Sequence, residues 1–388
     1  MEISTCVKYV GVNDHQVDLF EGQYKVPNGM SYNSYVILDE KIAVMDTVDG
    51  FFTEEWLNNV EQVLSGKTPD YLVIQHMEPD HSASIPAFLK KYPKTTVIST
   101  AKGFQFMEQF FPEFFARQGL PAEQRIVAAN DGVLELGQHS LHFVYAPMVH
   151  WPEVMMTYEA TEKILFAADG FGKFGALDVE EEWENEARRY YIGIVGKYGP
   201  QVQAILKKAA GLDIQTICSL HGPVLKENLG FYLEKYDKWS SYQPEESGVV
   251  IAYASVYGNT RNAAEYLADV LQEKGQKTVL YDLARCDKAK AVADAFRYDR
   301  LVLAGITYNG DLFPCMRSYI EGLTERNYQN RKVAIIENGT WAPMAGKLIL
   351  GMFEKSKNLT FTETKVSIKS AMNAQNKEEI GKLAEELS

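Results

Sequence analysis

The sequence predicts an α/β protein of two domains: a β-rich N-terminal domain carrying a metal site, and a C-terminal doubly wound sheet of five parallel strands. Three observations predict it. At 388 residues the chain exceeds what one hydrophobic core usually supports. An apolar, β-branched run at residues 71–75 feeds directly into QHMEPDH, which places His76, Glu78, Asp80 and His81 on one loop at a strand end. Beyond residue 247 apolar strands alternate strictly with amphipathic helices. The expected domains are residues 1–246 and 247–388.

Composition excludes several classes. Apolar residues make up 46% and charged residues 23%, the balance of a folded chain, with no low-complexity tract. The formal charge, 39 − 52 = −13, is spread without a basic stripe, which argues against nucleic acid or an anionic membrane as partner. The N-terminus lacks a basic region followed by an apolar stretch, and no window approaches the length of a membrane span. A cytoplasmic protein is expected. Cys6, Cys218, Cys286 and Cys315 lie far apart with no C-x-x-C pair, so they build no iron–sulfur centre and read as buried free thiols.

Along the first half, strand-like runs occur at 30–39, 41–48, 70–75 and 95–100, with helices expected at about 52–65 and 82–91, the latter opened by Ser82 or Ser84 as N-cap. Three later runs, 139–148, 162–169 and 214–222, each deliver a candidate ligand at or just beyond the end: His150, Asp169 and His221. Imidazole and carboxylate together suit iron, zinc or manganese. Seven such side chains exceed the three or four that one zinc needs, so the arithmetic favours two metals with a small ligand between them. His15, His139 and His142 read as ordinary core or surface histidines.

The polar stretch 239–247, with Pro244 and two glutamates, reads as the interdomain linker. In the second half, the first strand runs into Ser255-Val256-Tyr257-Gly258-Asn259-Thr260 and a helix, a set of small hydroxyl residues, a glycine and a helix N-terminus suited to cradle phosphate. Neither the dinucleotide nor the nucleoside triphosphate glycine motif is present, so a mononucleotide fits better. Two further strand-end loops, Thr307-Tyr308-Asn309-Gly310-Asp311 and Asn338-Gly339-Thr340-Trp341, each carry an aromatic and a glycine and converge on the same crevice. With all three loops this half resembles the flavodoxin family over its whole length. By that resemblance Ser255, Tyr257, Gly258, Asn259 and Thr260, with Val256 in the same loop, hold the phosphate of flavin mononucleotide (FMN). Thr307, Tyr308, Asn309, Gly310, Asn338, Gly339, Thr340 and Trp341 then approach its ring system.

His76-x-Glu78-x-Asp80-His81 resembles the metallo-β-lactamase signature H-x-H-x-D-H with its second histidine replaced by glutamate. The resemblance implies an αββα sandwich. A carboxylate in that place makes the site harder and more electron-rich, favouring iron over zinc. On the resemblance His76, Glu78, His150 and Asp169 hold one metal, and Asp80, His81, Asp169 and His221 the other, with Asp169 bridging. Trp151, beside His150, is a candidate catalytic neighbour, and Tyr191 either faces the site as a hydrogen-bond donor or is a buried structural tyrosine.

The two halves in this order resemble the flavodiiron proteins, or A-type flavoproteins, over essentially the entire chain. Membership implies a diiron enzyme that reduces dioxygen to water, nitric oxide to nitrous oxide, or both, with electrons relayed through FMN. It also implies a head-to-tail homodimer or a dimer of dimers. The chain ends soon after its last helix without a cysteine-paired extension, so a separate donor is expected: a rubredoxin, a reduced deazaflavin or a nicotinamide-linked reductase. The alternatives are a zinc-dependent metallo-β-lactamase-fold hydrolase with an accessory flavodoxin module, and an electron carrier whose first domain is only structural.

Overall fold

In the computed structural model, which describes residues 3–388, the chain forms two compact units: Met1–Tyr191 with Pro200–Tyr236, and Ile192–Gly199 with Asp237–Ser388.

The first unit is built on two sheets. One has six strands in the order Val7–Tyr9, Tyr35–Ile37, Ala43–Met45, Tyr71–Val73, Thr96–Ser99 and Arg125–Val127, and the last four run parallel. The other has five, Val133–Glu135, Ser140–Tyr145, Met155–Glu159, Ile164–Phe166 and Thr216–Cys218. Val7, Tyr35, Ile37, Met45, Val73 and Ile98 from the first sheet share one core with Leu141, Phe143, Met155, Ile164, Phe166 and Cys218 from the second. Such large side chains stabilise by about 1.5–3 kcal/mol each when fully buried. The helix Thr53–Leu64 buries Trp56, Val60 and Leu64, spaced one turn apart on one face, and ends at Ser65 in the left-handed conformation. This is the αββα layering expected from the resemblance.

Several local expectations change. The run at 30–39 divides into Met30–Tyr32 and Tyr35–Ile37, because Asn33 and Ser34 spend their side chains on neighbouring loops: Asn33 donates to the carbonyls of Ser219 and Gly222, and Ser34 to that of Asp46. The expected 82–91 helix is the shorter Ile85–Lys91, preceded by a separate helical turn, Pro79–Ser82, so Asp80 and His81 lie on helix rather than loop. Each piece has proline in its first turn, where a missing N–H costs nothing. Ser84 stands at the N-cap of the longer helix, as expected, but its side chain makes no capping hydrogen bond: Ser82 donates to the carbonyl of Met77, and Ser84 to that of Val48. The strand Met155–Glu159 escaped notice because it is buried on both faces and shows no alternation.

The second unit is a parallel sheet in the order Thr278–Asp282, Glu246–Tyr253, Tyr298–Tyr308, Lys332–Asn338, with Thr360–Phe361 and Val366–Ile368 both pairing the last. That is the 2-1-3-4-5 order of the flavodoxin-like doubly wound fold, with its fifth strand interrupted. Helices Asn259–Glu273 and Ala374–Glu386 cover one face through Leu267, Leu271, Ile380 and Leu383. The 239–247 stretch is not a free linker. Trp239, Ser240 and Tyr242 are buried, and the Tyr242 hydroxyl donates to the carbonyl of Gly196 and accepts from the N–H of Gly199. Among the described residues no helix is long and apolar enough to cross a membrane.

Candidate functional site

The seven acidic and imidazole side chains singled out in the first unit come together in two groups. His76, Glu78, His150 and Asp169 form one, and Asp80, His81 and His221 the other. The parallel strands Ala43–Met45 and Tyr71–Val73 end in register, and the loops beyond them are tied by Asp46, which accepts the N–H of Gln75 at 2.7 Å and its side-chain amide at 2.8 Å. Thr47 anchors the helical turn through its N–H and hydroxyl to the carbonyl of His81. Burial holds the Asp46 carboxyl up at about 6 against those hydrogen bonds.

In the first group Glu78 Oε2 lies 3.3 Å from His76 Nε2 and 3.1 Å from His150 Nε2, and Asp169 Oδ2 lies 3.3 and 3.1 Å from the same two nitrogens. In the second, Nε2 of His81 and His221 are 3.0 Å apart, and each is 3.3 Å from Asp80 Oδ2. The other oxygen of Asp169, Oδ1, is 3.4 Å from His81 Nε2 and 3.8 Å from His221 Nε2. Asp169 thus turns one oxygen to each group.

Donors about 2.1 Å from a common ion stand about 3.0–3.4 Å from their neighbours in octahedral or tetrahedral geometry, which is the spacing within both groups. Two partners aim the lone pairs. His76 Nδ1 faces Glu153 Oε1 at 2.8 Å and His221 Nδ1 faces the Ser31 carbonyl at 2.7 Å, so both carry their proton on Nδ1 and turn Nε2 inward. The buried oxygens of Asp80 and Asp169 accept no hydrogen bond. Buried carboxylates in that condition call for positive charge. In the protein alone the imidazoles supply it. Burial pulls His150 down, but Asp169 and Glu78 carry it up to about 9; burial pushes Glu78 and Asp169 up, yet His150 and His76 hold both well below the carboxylate range. Two cations fit where those protons sit, and the residues present suit a dinuclear metal.

Aromatic rings wall the donors. Phe20, Tyr32 and Tyr190 pack on the His221 ring at centroid distances of 5.4, 6.0 and 5.5 Å, and Trp151 meets His76 edge-on at 5.3 Å. Trp151 therefore touches the ring of His76, one of the candidate donors. Tyr191 is fully buried with its ring packed on Tyr236, while Tyr190, about 100° around the helix, packs on the His221 ring. The Tyr190 hydroxyl is kept protonated by burial and then by the fields of Asp169, Glu78 and Asp80. Sequence reasoning missed Glu153, Ser31 and Tyr190. Only Glu153, three residues after His150, left a signal in the sequence.

In the second unit the three loops line a cleft of about 700 Å³, formed by Ser255, Val256, Tyr257, Asn259 and Thr260, by Thr307 to Gly310, and by Asn338 to Trp341. Ile306, Ala342, Met344 and Ser370 also line it and were not anticipated. Gly258 opens the helix Asn259–Glu273 with φ 90° and donates its N–H to Ser255 Oγ, leaving a first turn of amide donors toward the cleft. Tyr257 and Trp341 are 93% and 81% exposed, flat rings without cover. Two of the expected contacts serve the loops themselves. Thr307 accepts the N–H groups of Met344 and Ala345, and Asn338 is spent on Thr260 and Ser370. The volume and flat aromatic faces suit a mononucleotide with a planar heterocycle.

Residues 30–222 match the family model described as ODP family beta lactamase, and residues 250–362 match a flavodoxin domain model. Over 99% of its length the chain superposes with a TM-score of 0.91 on rubredoxin oxygen:oxidoreductase from Desulfovibrio gigas, at 25% identity and covering 96% of that chain. It superposes equally, at 0.91 and 26% identity, on the flavodiiron protein from Giardia intestinalis, over 100% of this chain and 95% of that one.

The chain belongs to the flavodiiron proteins.

Within that family, the anaerobic nitric oxide reductase flavorubredoxin of Vibrio vulnificus is 28% identical over 355 residues, 88% of this chain and 70% of the relative. The cofactors of a flavodiiron protein are FMN and a diiron centre, and the two sites have the donors and the cleft for them.

Proposed function

We propose that this flavodiiron protein reduces dioxygen to water, nitric oxide to nitrous oxide, or both. The observation that carries the reading is Asp169, which gives one oxygen to each of two His/carboxylate groups in a chain that also holds a flavodoxin cleft. When bound, iron and FMN supply the electron-transfer chemistry that none of the side chains offers. His76, Glu78, His150 and Asp169 would hold one ion, and Asp80, His81 and His221, with Asp169, the other. Glu153 and the Ser31 carbonyl fix the tautomers of His76 and His221, the rings of Phe20, Tyr32 and Trp151 limit water at the donors, and Tyr190 holds a proton beside them. The relatives' names support both gases: one is a rubredoxin oxygen:oxidoreductase, another a nitric oxide reductase.

Electron supply by a rubredoxin is the favoured reading, from the name of the Desulfovibrio gigas protein; a reduced deazaflavin or a nicotinamide-linked reductase would serve the same cleft. A head-to-tail homodimer or dimer of dimers in the cytoplasm completes the proposal, the compartment being supported by four cysteines that are all free. The zinc-hydrolase alternative gives the cleft only an accessory role, with no part in the reaction, and does not explain Glu78, a hard oxygen donor between two imidazoles.

Protein purified without oxygen should carry about two irons and one FMN per chain and consume one or both gases when reduced. Zinc in place of iron, with neither gas consumed, would return the hydrolase.

A further inference from the structure

The N-terminal unit has a second concentration of metal-ligating side chains, on the rim opposite the seven donors. His139 stands just before the strand Ser140–Tyr145, whose far end leads to His150, and Glu162 just before Ile164–Phe166, whose far end leads to Asp169. Asp39 follows Tyr35–Ile37, and Cys6 precedes the antiparallel neighbour Val7–Tyr9, with the N–H of Leu38 donating to the Cys6 carbonyl. Four segments distant in sequence therefore meet at one point.

The ligand atoms of Cys6, His139 and Glu162 all lie within 4.8 Å of one another. His139 is only 4% exposed, and its Nδ1 is 2.7 Å from Asp39 Oδ2, an oxygen that also accepts the His139 backbone N–H at 2.7 Å. The carboxylate thus fixes the ring and places the proton on Nδ1. Nε2 turns to Glu162 Oε1, 3.3 Å away. A carboxylate orienting a histidine whose other nitrogen faces a second carboxylate, with a thiol in the same cluster, is the arrangement of a metal-binding imidazole. We propose that Cys6, His139 and Glu162 bind a divalent transition metal of the zinc class, in a site separate from the dinuclear centre.

The donor chemistry selects the ion. One thiolate, one imidazole and one carboxylate suit zinc, whereas magnesium and calcium prefer oxygen alone. Cys6 and Glu162 are half-buried, which leaves a fourth position for water. The local field is negative. Burial, then Glu162 and Asp39, raise the Cys6 thiol, with Lys8 opposing, so a bound dication is what would turn that thiol into a ligand. An imidazolium bridging Asp39 and Glu162 would account for His139 but not for the thiol beside it. A metal there would clamp the first strand to the turn at Gln138–His139 and to the one before Lys163, joining both sheets.

Cobalt(II) is the probe, added to the iron-loaded protein. The expected result is about one cobalt per chain in addition to iron, with a near-ultraviolet thiolate-to-cobalt absorption that excess zinc abolishes. Cobalt entering the dinuclear centre gives no such band, because none of its seven donors is sulfur. Cys6→Ser should remove the band and Glu162→Gln should weaken cobalt binding about tenfold or more, both with iron content unchanged. Both side chains are half-buried, so these variants spare the core, and Cys218, Cys286 and Cys315 remain as internal controls. No band in the parent protein, or a band that survives Cys6→Ser, overturns the proposal.

Discussion

His76 donates its Nδ1 proton to Glu153 Oε1 across 2.8 Å, beneath the donors and out of solvent. The same oxygen takes the N–H of Met77 at 2.9 Å, so one carboxylate fixes both the ring and the backbone of the ligand loop. Glu153→Gln keeps the shape and removes the charge. It should weaken iron binding roughly ten- to hundredfold, the usual cost of losing such a partner, as read by competition with a chelator. Unchanged affinity would mean the ring is held by packing alone.

Tyr190 and Tyr191 separate the two tyrosine roles. Tyr190→Phe removes a hydroxyl lying in the field of Asp169, Glu78 and Asp80, and should slow gas consumption by about three- to tenfold, the worth of one hydrogen bond, with two irons retained. Tyr191→Phe, on the side that packs against Tyr236, should leave the rate within twofold of the parent, roughly 0.4 kcal/mol. The reverse pattern would put Tyr191 at the site.

Most of the candidate metal centre was legible because its imidazole and carboxylate side chains are chemically rare as a set and follow strand ends: QHMEPDH after an apolar run, then His150, Asp169 and His221 after three more. What tunes them was not. Ser31 acts through a carbonyl, which its side chain does not advertise, and Tyr190 differs from Tyr191 only by helical phase in a stretch that passes into a π-helical turn at Tyr191–Val195. The strict alternation of strands and helices in the second half made its doubly wound parallel sheet legible. The buried Met155–Glu159 and the packed segment around Tyr242 lacked the periodicity and polarity that sequence reading depends on.

Gly258 has φ 90°, and a Cβ there would meet no protein atom within 4 Å. Its need for glycine is therefore conformational, with ligand approach added. Gly258→Ala costs about 1–2 kcal/mol in that conformation and should weaken FMN binding about five- to thirtyfold in a fluorescence titration. Iron per chain should not change. Loss of iron as well would show that the substitution disturbs more than the cleft.

Glu246 begins the strand Glu246–Tyr253 of the second unit between Lys277 and Arg297, each donating to it at 2.6 Å. Burial works against ionisation, but these two cations hold the carboxyl below its ordinary value. A depressed carboxylate stabilises the fold above its unfolded pKa and loses that contribution as pH falls through the folded one. Glu246→Gln should therefore cost up to about 1 kcal/mol at pH 7, discounted for partial exposure, and the difference should shrink below about pH 4 in denaturant titrations.

The two groups that share Asp169 would hold irons, which would supply the electron transfer from flavin to gas. The most direct measurement mixes fully reduced protein with nitric oxide, and separately with dioxygen, in matched iron-loaded and zinc-loaded samples while flavin absorbance is followed. Rapid flavin reoxidation with at least one gas is expected in the iron-loaded sample, and a rate at least about a hundredfold lower with zinc, which has no redox chemistry. Equal rates in the two samples would contradict that role for iron.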